Sequence, residues 1–187
     1  MQDFIKSIFA GLMIGIAGLV YLNVTTTWVA AILFSIGLIM ICTLGYNLYT
    51  GKVGYVKSIK DAPKMLKYII GNFIGVFLVS LTTTTSSADL VNAKLQIPYY
   101  LLLLKSIGCG LLMYIAVDEY KIHNKSLIGI ICCIPAFILA GFEHSIADMF
   151  YLCCSGTFDV KYLIFIGIVL IGNAIGALLH KMIKTSH

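Results

Sequence analysis

Three ionisable side chains lie within six positions of an otherwise apolar stretch of the chain: Glu143, His144 and Asp148. A charged group at membrane depth is costly unless it is paired or hydrated. His144 is the member best able to exchange a proton near neutral pH. Asp148 follows four residues later, so the two side chains could share one face of a helix. The pattern predicts a buried site for proton exchange or ligand binding; the alternative is a hydrogen-bonded network that only fixes helix packing.

The composition of the chain places this stretch in a membrane protein. Of its 187 residues, 60% are hydrophobic and only 11% are charged, whereas a soluble domain carries about 25% charged residues. A membrane span needs about 20 apolar residues. The apolar runs therefore predict an all-α fold of six transmembrane helices in a single domain, residues 1–187, with no room for a soluble domain. The predicted spans are about Ile8–Val24, Trp28–Leu48, Tyr68–Thr85, Pro98–Val117, Ser126–Leu152 and Tyr162–Ile183.

The lysines predict how these spans are oriented. The first apolar run continues into a full span, so we expect it to stay in the protein rather than to be cleaved as a signal peptide. One side of the membrane holds only Lys94 and Lys161, and the positive-inside rule makes the other side cytoplasmic, with both termini, in an inner or plasma membrane. Because the lysines lie between apolar spans, the net charge of +5 does not indicate nucleic-acid binding. The predicted cytoplasmic lysines are Lys6, Lys52, Lys57, Lys60, Lys64, Lys67, Lys121, Lys125, Lys181 and Lys184.

The chain also repeats itself. The sequence GNFIG at 71–75 recurs as GNAIG at 172–176, and GYN at 45–47 resembles GFE at 141–143. Each motif alone could serve only the close packing of helices. Together they predict two three-span repeats, about 1–90 and 91–187, and an odd number of spans gives the halves opposite orientations. Spans two and five, with glycine followed by polar residues, are the expected interrupted helices around a path through the bundle.

Several of these segments together resemble the formate/nitrite transporter family over nearly the whole chain. GFEHSIADMF at 141–150 resembles its fifth-span signature, AGLMIG at 10–15 its first-span motif, and LGYNLYTGK at 44–52 its second-span gating loop. GNFIG and GNAIG resemble its third- and sixth-span motifs. The resemblance implies an aquaporin-like bundle in the lipid bilayer, assembled as a homopentamer with one pore per protomer. It implies a channel or transporter for small weak-acid anions such as formate, nitrite or hydrosulfide, not an enzyme, with no cofactor or metal.

Individual pore residues follow from the same resemblance. It places the central histidine at His144, the loop threonine at Thr50 and the vestibule lysine at Lys94. Glu143 is expected to anchor broken helix ends or subunit contacts, and Asn72 and Asn173 to have structural roles. The resemblance implies hydrophobic constrictions at Phe34, Leu38 and Phe137 on one side, and at Leu48 and Tyr49 on the other.

Three positions depart from the family pattern. Asp148 stands where the family usually has asparagine, and its acid could keep His144 protonated or could repel anions. Gly110 replaces an asparagine, which is expected to leave more room near Lys94. Tyr49 replaces a phenylalanine and adds a hydroxyl to a constriction. We treat Asp148 as the modifier of selectivity.

The expected mechanism follows from desolvation. A bare anion loses its hydration at a large cost in an apolar constriction, and a neutral acid loses far less. Lys94 would concentrate anions, Thr50 and His144 would hydrogen-bond them, and protonation by His144 or water would give the neutral acid that crosses. The alternative is an aquaporin-like facilitator of small neutral solutes, which an acid at Asp148 favours but which the lack of an Asn-Pro-Ala pair disfavours.

Overall fold

The computed structural model describes the backbone of residues 1–185 and the side chains of residues 1–183. Lys184, one of the expected cytoplasmic lysines, lies outside the residues whose side chains are described. Over residues 1–185 the chain is helical and contains no strand. Two short 3-10 turns, Val53–Tyr55 and Ile59–Asp61, precede the fourth α-helix. The α-helices of this part of the chain are α1 (Gln2–Asn23), α2 (Thr27–Leu44), α3 (Tyr49–Lys52), α4 (Ala62–Ser80), α5 (Ala88–Leu95), α6 (Tyr99–Ile122), α7 (Ile128–Leu139), α8 (Ser145–Cys154) and α9 (Val160–Thr185).

Five helical segments of the described chain are long and apolar enough to cross a membrane: Gln2–Asn23, Thr27–Leu44, Ile59–Ser80, Tyr99–Ile122 and Val160–Ile183. Helices α7 and α8 are shorter apolar helices. The span expected at 126–152, which was expected to be interrupted, consists of the two helices α7 and α8; it differs from the expectation only in that neither part is long enough to cross a membrane by itself. A further difference lies at 88–95, where a polar stretch in the sequence forms α5.

Two glycines end α2 and α7 in the same way. Gly45 has φ +69° and Gly141 has φ +66°, values in the left-handed region that glycine adopts without a side-chain penalty. The next residue in each case, Tyr46 or Phe142, donates its N–H back to a carbonyl of the helix, at 2.9 Å from Ile41 O and Phe137 O. This is a common glycine-dependent helix ending. The chain resumes as helix at Tyr49 and at Ser145.

Two pairs of long helices approach each other at glycine. A Cβ added at Gly11 would lie 2.1 Å from the carbonyl oxygen of Asn72, and one at Gly110 would lie 2.1 Å from that of Asn173. Real Cβ atoms are not found this close to a carbonyl oxygen. Helices α1 and α4, and likewise α6 and α9, can therefore approach this closely only because glycine has a hydrogen in place of a side chain. The expectation that Gly110 leaves room near Lys94 is therefore wrong, because the backbone of Asn173 fills that space.

The polar and apolar residues are distributed as a bilayer requires. Thr50, Asn72, Ser106 and Asn173 are completely buried, so their polar atoms can be satisfied only inside the bundle. Large apolar side chains cover much of the outside instead, among them Trp28, Ile36, Phe73, Leu104 and Ile164. Such an arrangement suits contact with lipid, where apolar surface carries no penalty.

Candidate functional site

Two cavities lie inside the bundle around the helix breaks. The larger, about 370 Å³, is lined by residues that include Phe34, Phe137, Lys94, Glu143, His144 and Asp148. The smaller, about 110 Å³, is lined by residues that include Leu38, Leu48, Lys52 and Lys121. Most polar residues predicted from the sequence therefore border the larger cavity.

His144 and Thr50 form a direct hydrogen bond between the two helix breaks. His144 Nε2 lies 2.9 Å from Thr50 Oγ1, and both residues are buried, 2% and 0% exposed. His144 borders the larger cavity, whereas Gly51, next to Thr50, borders the smaller one. The bond therefore links a residue in the wall of the larger cavity to the chain neighbour of a residue in the wall of the smaller one.

The position of His144 as the N-cap of α8 fixes its tautomer. Its Nδ1 accepts the backbone N–H of Ala147 at 3.1 Å, and a ring nitrogen that accepts an N–H carries no proton of its own. The neutral ring therefore has its proton on Nε2 and donates it to Thr50 Oγ1. The hydroxyl hydrogen of Thr50 is then free of His144 and can be donated to another acceptor.

Two asparagines bind the backbone at the two breaks. Asn72 Nδ2 donates to Asn47 O at 3.0 Å and to Ser7 O at 2.7 Å, and its Oδ1 accepts the N–H of Tyr49 at 2.8 Å. The asparagine thus closes the gap between a helix end and the next helix start.

Asn173 repeats these contacts at the second break. Its Nδ2 donates to Glu143 O at 2.9 Å and to Ser106 O at 2.9 Å, and its Oδ1 accepts the N–H of Ser145 at 2.9 Å. The residues on both sides of His144 are therefore held by one side chain.

Aromatic rings crowd the histidine on the side of the larger cavity. The ring of Phe137 lies 5.9 Å from that of His144 and is roughly parallel to it, and Phe34 meets Phe137 edge-on at 6.3 Å. Tyr21 meets Phe34 edge-on at 6.5 Å. These rings make the approach to His144 narrow and apolar.

Lys94 is surrounded by carboxylates. Its Nζ contacts Glu143 Oε2 and lies 3.0 Å from Asp148 Oδ1, while the side chains of the two acids are 4% and 2% exposed. The sequence suggested a meeting of Asp148 with His144, but the carboxylate of Asp148 pairs with Lys94 instead. The second oxygen, Asp148 Oδ2, is buried with no hydrogen-bond partner among the described residues.

The remaining expected pore residues fall in different places. Leu38 lines the smaller cavity with Leu48, rather than the larger one with Phe34 and Phe137. Tyr49 lines neither cavity, and its hydroxyl donates to the carbonyl of Leu170 at 3.0 Å. Its side chain therefore points to the backbone of α9.

Sequence reasoning missed two lysines in the wall of the smaller cavity. The sequence indicated Lys52 and Lys121 only as basic residues of one membrane side, yet they border that cavity, and Lys121 Nζ lies 3.3 Å from the centre of the Tyr55 ring. The signal was present in the position of Lys52 directly after the helix break, close to Thr50.

The sequence model of the formate/nitrite transporter family matches residues 1–184. The chain belongs to the formate/nitrite transporter family. This confirms the resemblance carried by GFEHSIADMF and the glycine–asparagine motifs. The family is one of transport proteins, and together with the long apolar helices this makes the chain a membrane protein.

Two solved structures share the fold of this family member. One, described as an FNT family ion channel, is 22% identical, with 98% of this chain and 87% of that chain covered and a TM-score of 0.76. The other, a pentameric formate channel with formate bound, is 20% identical, with 99% and 94% covered and a TM-score of 0.80. No curated protein sequence matches the chain.

Proposed function

We propose that this member of the formate/nitrite transporter family conducts small weak-acid anions, of the formate, nitrite and hydrosulfide class, as their neutral protonated acids past Thr50 and His144. The observation that carries the proposal is the buried Thr50–His144 hydrogen bond, which links a residue lining the larger cavity to the neighbour of Gly51, a residue lining the smaller one. The fold that holds it is matched by a formate channel.

The path is proposed to run from the larger cavity past Phe34 and Phe137 to the Thr50–His144 pair, then past Leu38 and Leu48 to the smaller cavity. Apolar side chains bound both ends of this path, so a bare anion would have to lose its water without replacement. A neutral acid needs only a hydrogen bond or two, and the Thr50 hydroxyl can donate one of them.

Lys94 is proposed to contact the substrate at short range in the larger cavity. The sequence suggested long-range attraction of anions by its charge. Because Glu143 and Asp148 both pair with Lys94, that attraction is largely cancelled beyond the immediate neighbourhood. At short range the Lys94 ammonium still stabilises the negative charge of an anion, or of a carboxylate, in direct contact with it.

The membrane arrangement forms part of the same proposal. Helices α1, α2, α4, α6 and α9 cross the membrane, and α7 with α8 forms a sixth, interrupted crossing. The matching contacts of Gly11 with Asn72 and of Gly110 with Asn173 support two repeats, about 1–90 and 91–187, within one domain. Three crossings in each repeat give them opposite orientations.

Charge and exposed surface support the proposed sidedness and assembly. The lysine excess puts both termini on the cytoplasmic side of an inner or plasma membrane, and the smaller cavity with Lys52 then opens toward the cytoplasm. An apolar groove of about 550 Å³ runs along α4, α8 and α9, with Phe73, Phe77 and Phe158 in its wall. Together with the pentameric neighbour, this surface supports a homopentamer.

A second candidate function has its own support. The two carboxylates around Lys94 leave the larger cavity without a net positive charge, which suits an aquaporin-like facilitator of small neutral solutes. Such a pore would carry urea or glycerol, and its flux would not depend on the fraction of a weak acid that is protonated.

Uptake into proteoliposomes separates the two candidates. Formate, nitrite, hydrosulfide and urea uptake would be measured as a function of pH for the natural chain, His144→Asn, Thr50→Val and the exposed control Asn92→Ala. We expect uptake of the acids to rise as the pH falls, to drop in both pore variants and to be unchanged in the control. Urea uptake without uptake of the acids would contradict the proposal.

A further inference from the structure

Asp148 carries a buried oxygen that the pore architecture leaves unused. Its Oδ1 pairs with Lys94 Nζ, but its Oδ2 has no partner among the described residues. The side chain is only 2% exposed, and the residue lies in the wall of the larger cavity beside His144. A buried carboxylate oxygen without a hydrogen bond is costly, unless it carries a proton or meets a donor in the cavity.

The charges around this oxygen do not balance. Glu143 and Asp148 bring two negative charges to the single positive charge of Lys94. Uncompensated charge inside a membrane protein is expensive, and two carboxylates that share one site do not both ionise readily. One added proton makes the group neutral, and the unpartnered Oδ2 of Asp148 is the position where it fits.

Other titratable groups surround this carboxylate without balancing its charge. Among the residues whose side chains the structure describes, Lys94 is the one cation that forms an ion pair with Glu143 or Asp148. Helix α4, which also packs against α8, has no titratable residue after Tyr68. The surrounding groups are Lys94 of α5, Tyr21 of α1, Lys105 and Cys109 of α6, and Glu143, His144 and Tyr151 next to or on α8.

We propose that Asp148 holds a transferable proton on Oδ2 and gives it to the entering anion, so that Asp148, rather than His144, is the proton donor of the pore. The proposal rests on the weak-acid function of the preceding subsection. It names the residue that makes the neutral acid, which that function requires but does not assign.

The transfer is balanced in protons and charge. The Oδ2–H bond of Asp148 breaks, a new O–H or S–H bond forms on the substrate, and the neutral acid leaves toward Thr50 and His144. Asp148 is left as a carboxylate beside Lys94, and a proton from water in the larger cavity restores it. Each anion therefore crosses with one proton, and no net charge moves.

The geometry of His144 fits this division of roles. Its Nδ1 is occupied by the N–H of Ala147 and its Nε2 proton by Thr50, so a charged ring would have to give up the cap of α8. His144 remains a hydrogen-bonding residue that positions the Thr50 hydroxyl.

Infrared difference spectroscopy on the purified full chain tests this proposal without measuring transport. A protonated carboxyl has a C=O stretch distinct from that of a carboxylate. We expect such a band to be present in the natural chain at neutral pH, to vanish in Asp148→Asn, and to remain in Asp118→Asn, which removes another buried aspartate. A band that persists in Asp148→Asn would overturn the proposal.

A second variant covers the case in which Asp148→Asn does not fold. In Glu143→Gln one carboxylate faces one ammonium, the charges balance, and the band should be absent near neutral pH. Its persistence there would equally overturn the proposal. If the natural chain shows the band but carries none of the acids, the weak-acid function fails while the proton site stands.

Formate uptake then distinguishes a proton donor from an electrostatic barrier. If Asp148 donates the proton, Asp148→Asn should reduce uptake at about pH 7.5 by about 100-fold, the lower end of the effect expected for loss of a positioned acid. Uptake at about pH 5, where bulk water supplies more neutral acid, should change far less. If the aspartate only repels anions, the substitution leaves uptake at the higher pH equal or increases it, which would overturn the proposal.

Discussion

Replacing Asn173 by alanine should destabilise the second helix break more than any exposed substitution in the same helix pair. The side chain of Asn173 donates to Glu143 O and Ser106 O and accepts the N–H of Ser145, each at 2.9 Å. It is completely buried, so water cannot take over these bonds. Alanine removes all three at once and leaves the backbone on both sides of His144 unsupported.

The size of this effect can be worked out bond by bond. Ser106 lies inside α6, where its carbonyl keeps its helical bond, so the main losses fall on Glu143 O and Ser145 N–H. A buried polar group left without a partner costs about 1–3 kcal/mol. Two such groups give an expected loss of about 2–6 kcal/mol in the free energy of unfolding.

Thermal and denaturant unfolding in detergent micelles measures this loss, with formate uptake as a second readout. Asn92→Ala is the matched control, because it removes the same side chain from an exposed position on α5. Asn72→Ala should behave like Asn173→Ala, since Asn72 makes the corresponding three bonds. A loss below about 1 kcal/mol for Asn173→Ala, with uptake intact, would refute the reasoning.

Three further substitutions test the local geometry by their effect on unfolding. Gly141→Ala should lower the free energy of unfolding by about 1–2 kcal/mol, because Gly141 has φ +66°. A new Cβ would lie 3.6 Å from its nearest neighbour, Lys105 Nζ, which is ordinary contact. The loss therefore measures backbone strain alone, and an unchanged stability would contradict that strain. Gly110→Ala should lower the free energy of unfolding by about 1–3 kcal/mol or more, because the new Cβ would lie 2.1 Å from the carbonyl oxygen of Asn173. A normal yield and melting temperature would contradict this packing of α6 on α9. Tyr49→Phe should cost about 1 kcal/mol by removing the hydroxyl bond to α9, and no change would mean that this bond contributes nothing.

Much of the fold could be predicted because its determinants are local or periodic. Long apolar runs predict helices, and α1, α2, α4, α6 and α9 lie where those runs are. The helix breaks were indicated by Gly45 and Gly141, which are needed for a left-handed backbone. The start of α1 at Gln2 and the existence of α5 were not predicted, because polar residues at a membrane surface can form helix or loop with equal ease.

The pairing of Lys94 could not be predicted in the same way. Lys94 lies 49 residues before Glu143 along the chain, and no pattern of spacing brings such residues together. The sequence placed Asp148 one helical turn from His144, which is true of the backbone. Since the side chains of a helix N-terminus diverge, the N-cap His144 turns to Thr50 while Asp148 turns to Lys94.

The most direct test of the weak-acid account is the charge that accompanies formate through the reconstituted natural chain. Formate uptake and internal pH would be recorded together in proteoliposomes whose membrane potential is set by potassium and valinomycin. We predict that one proton enters with each formate and that the rate does not depend on the imposed potential. Formate uptake that follows the potential and leaves the internal pH unchanged would contradict the account.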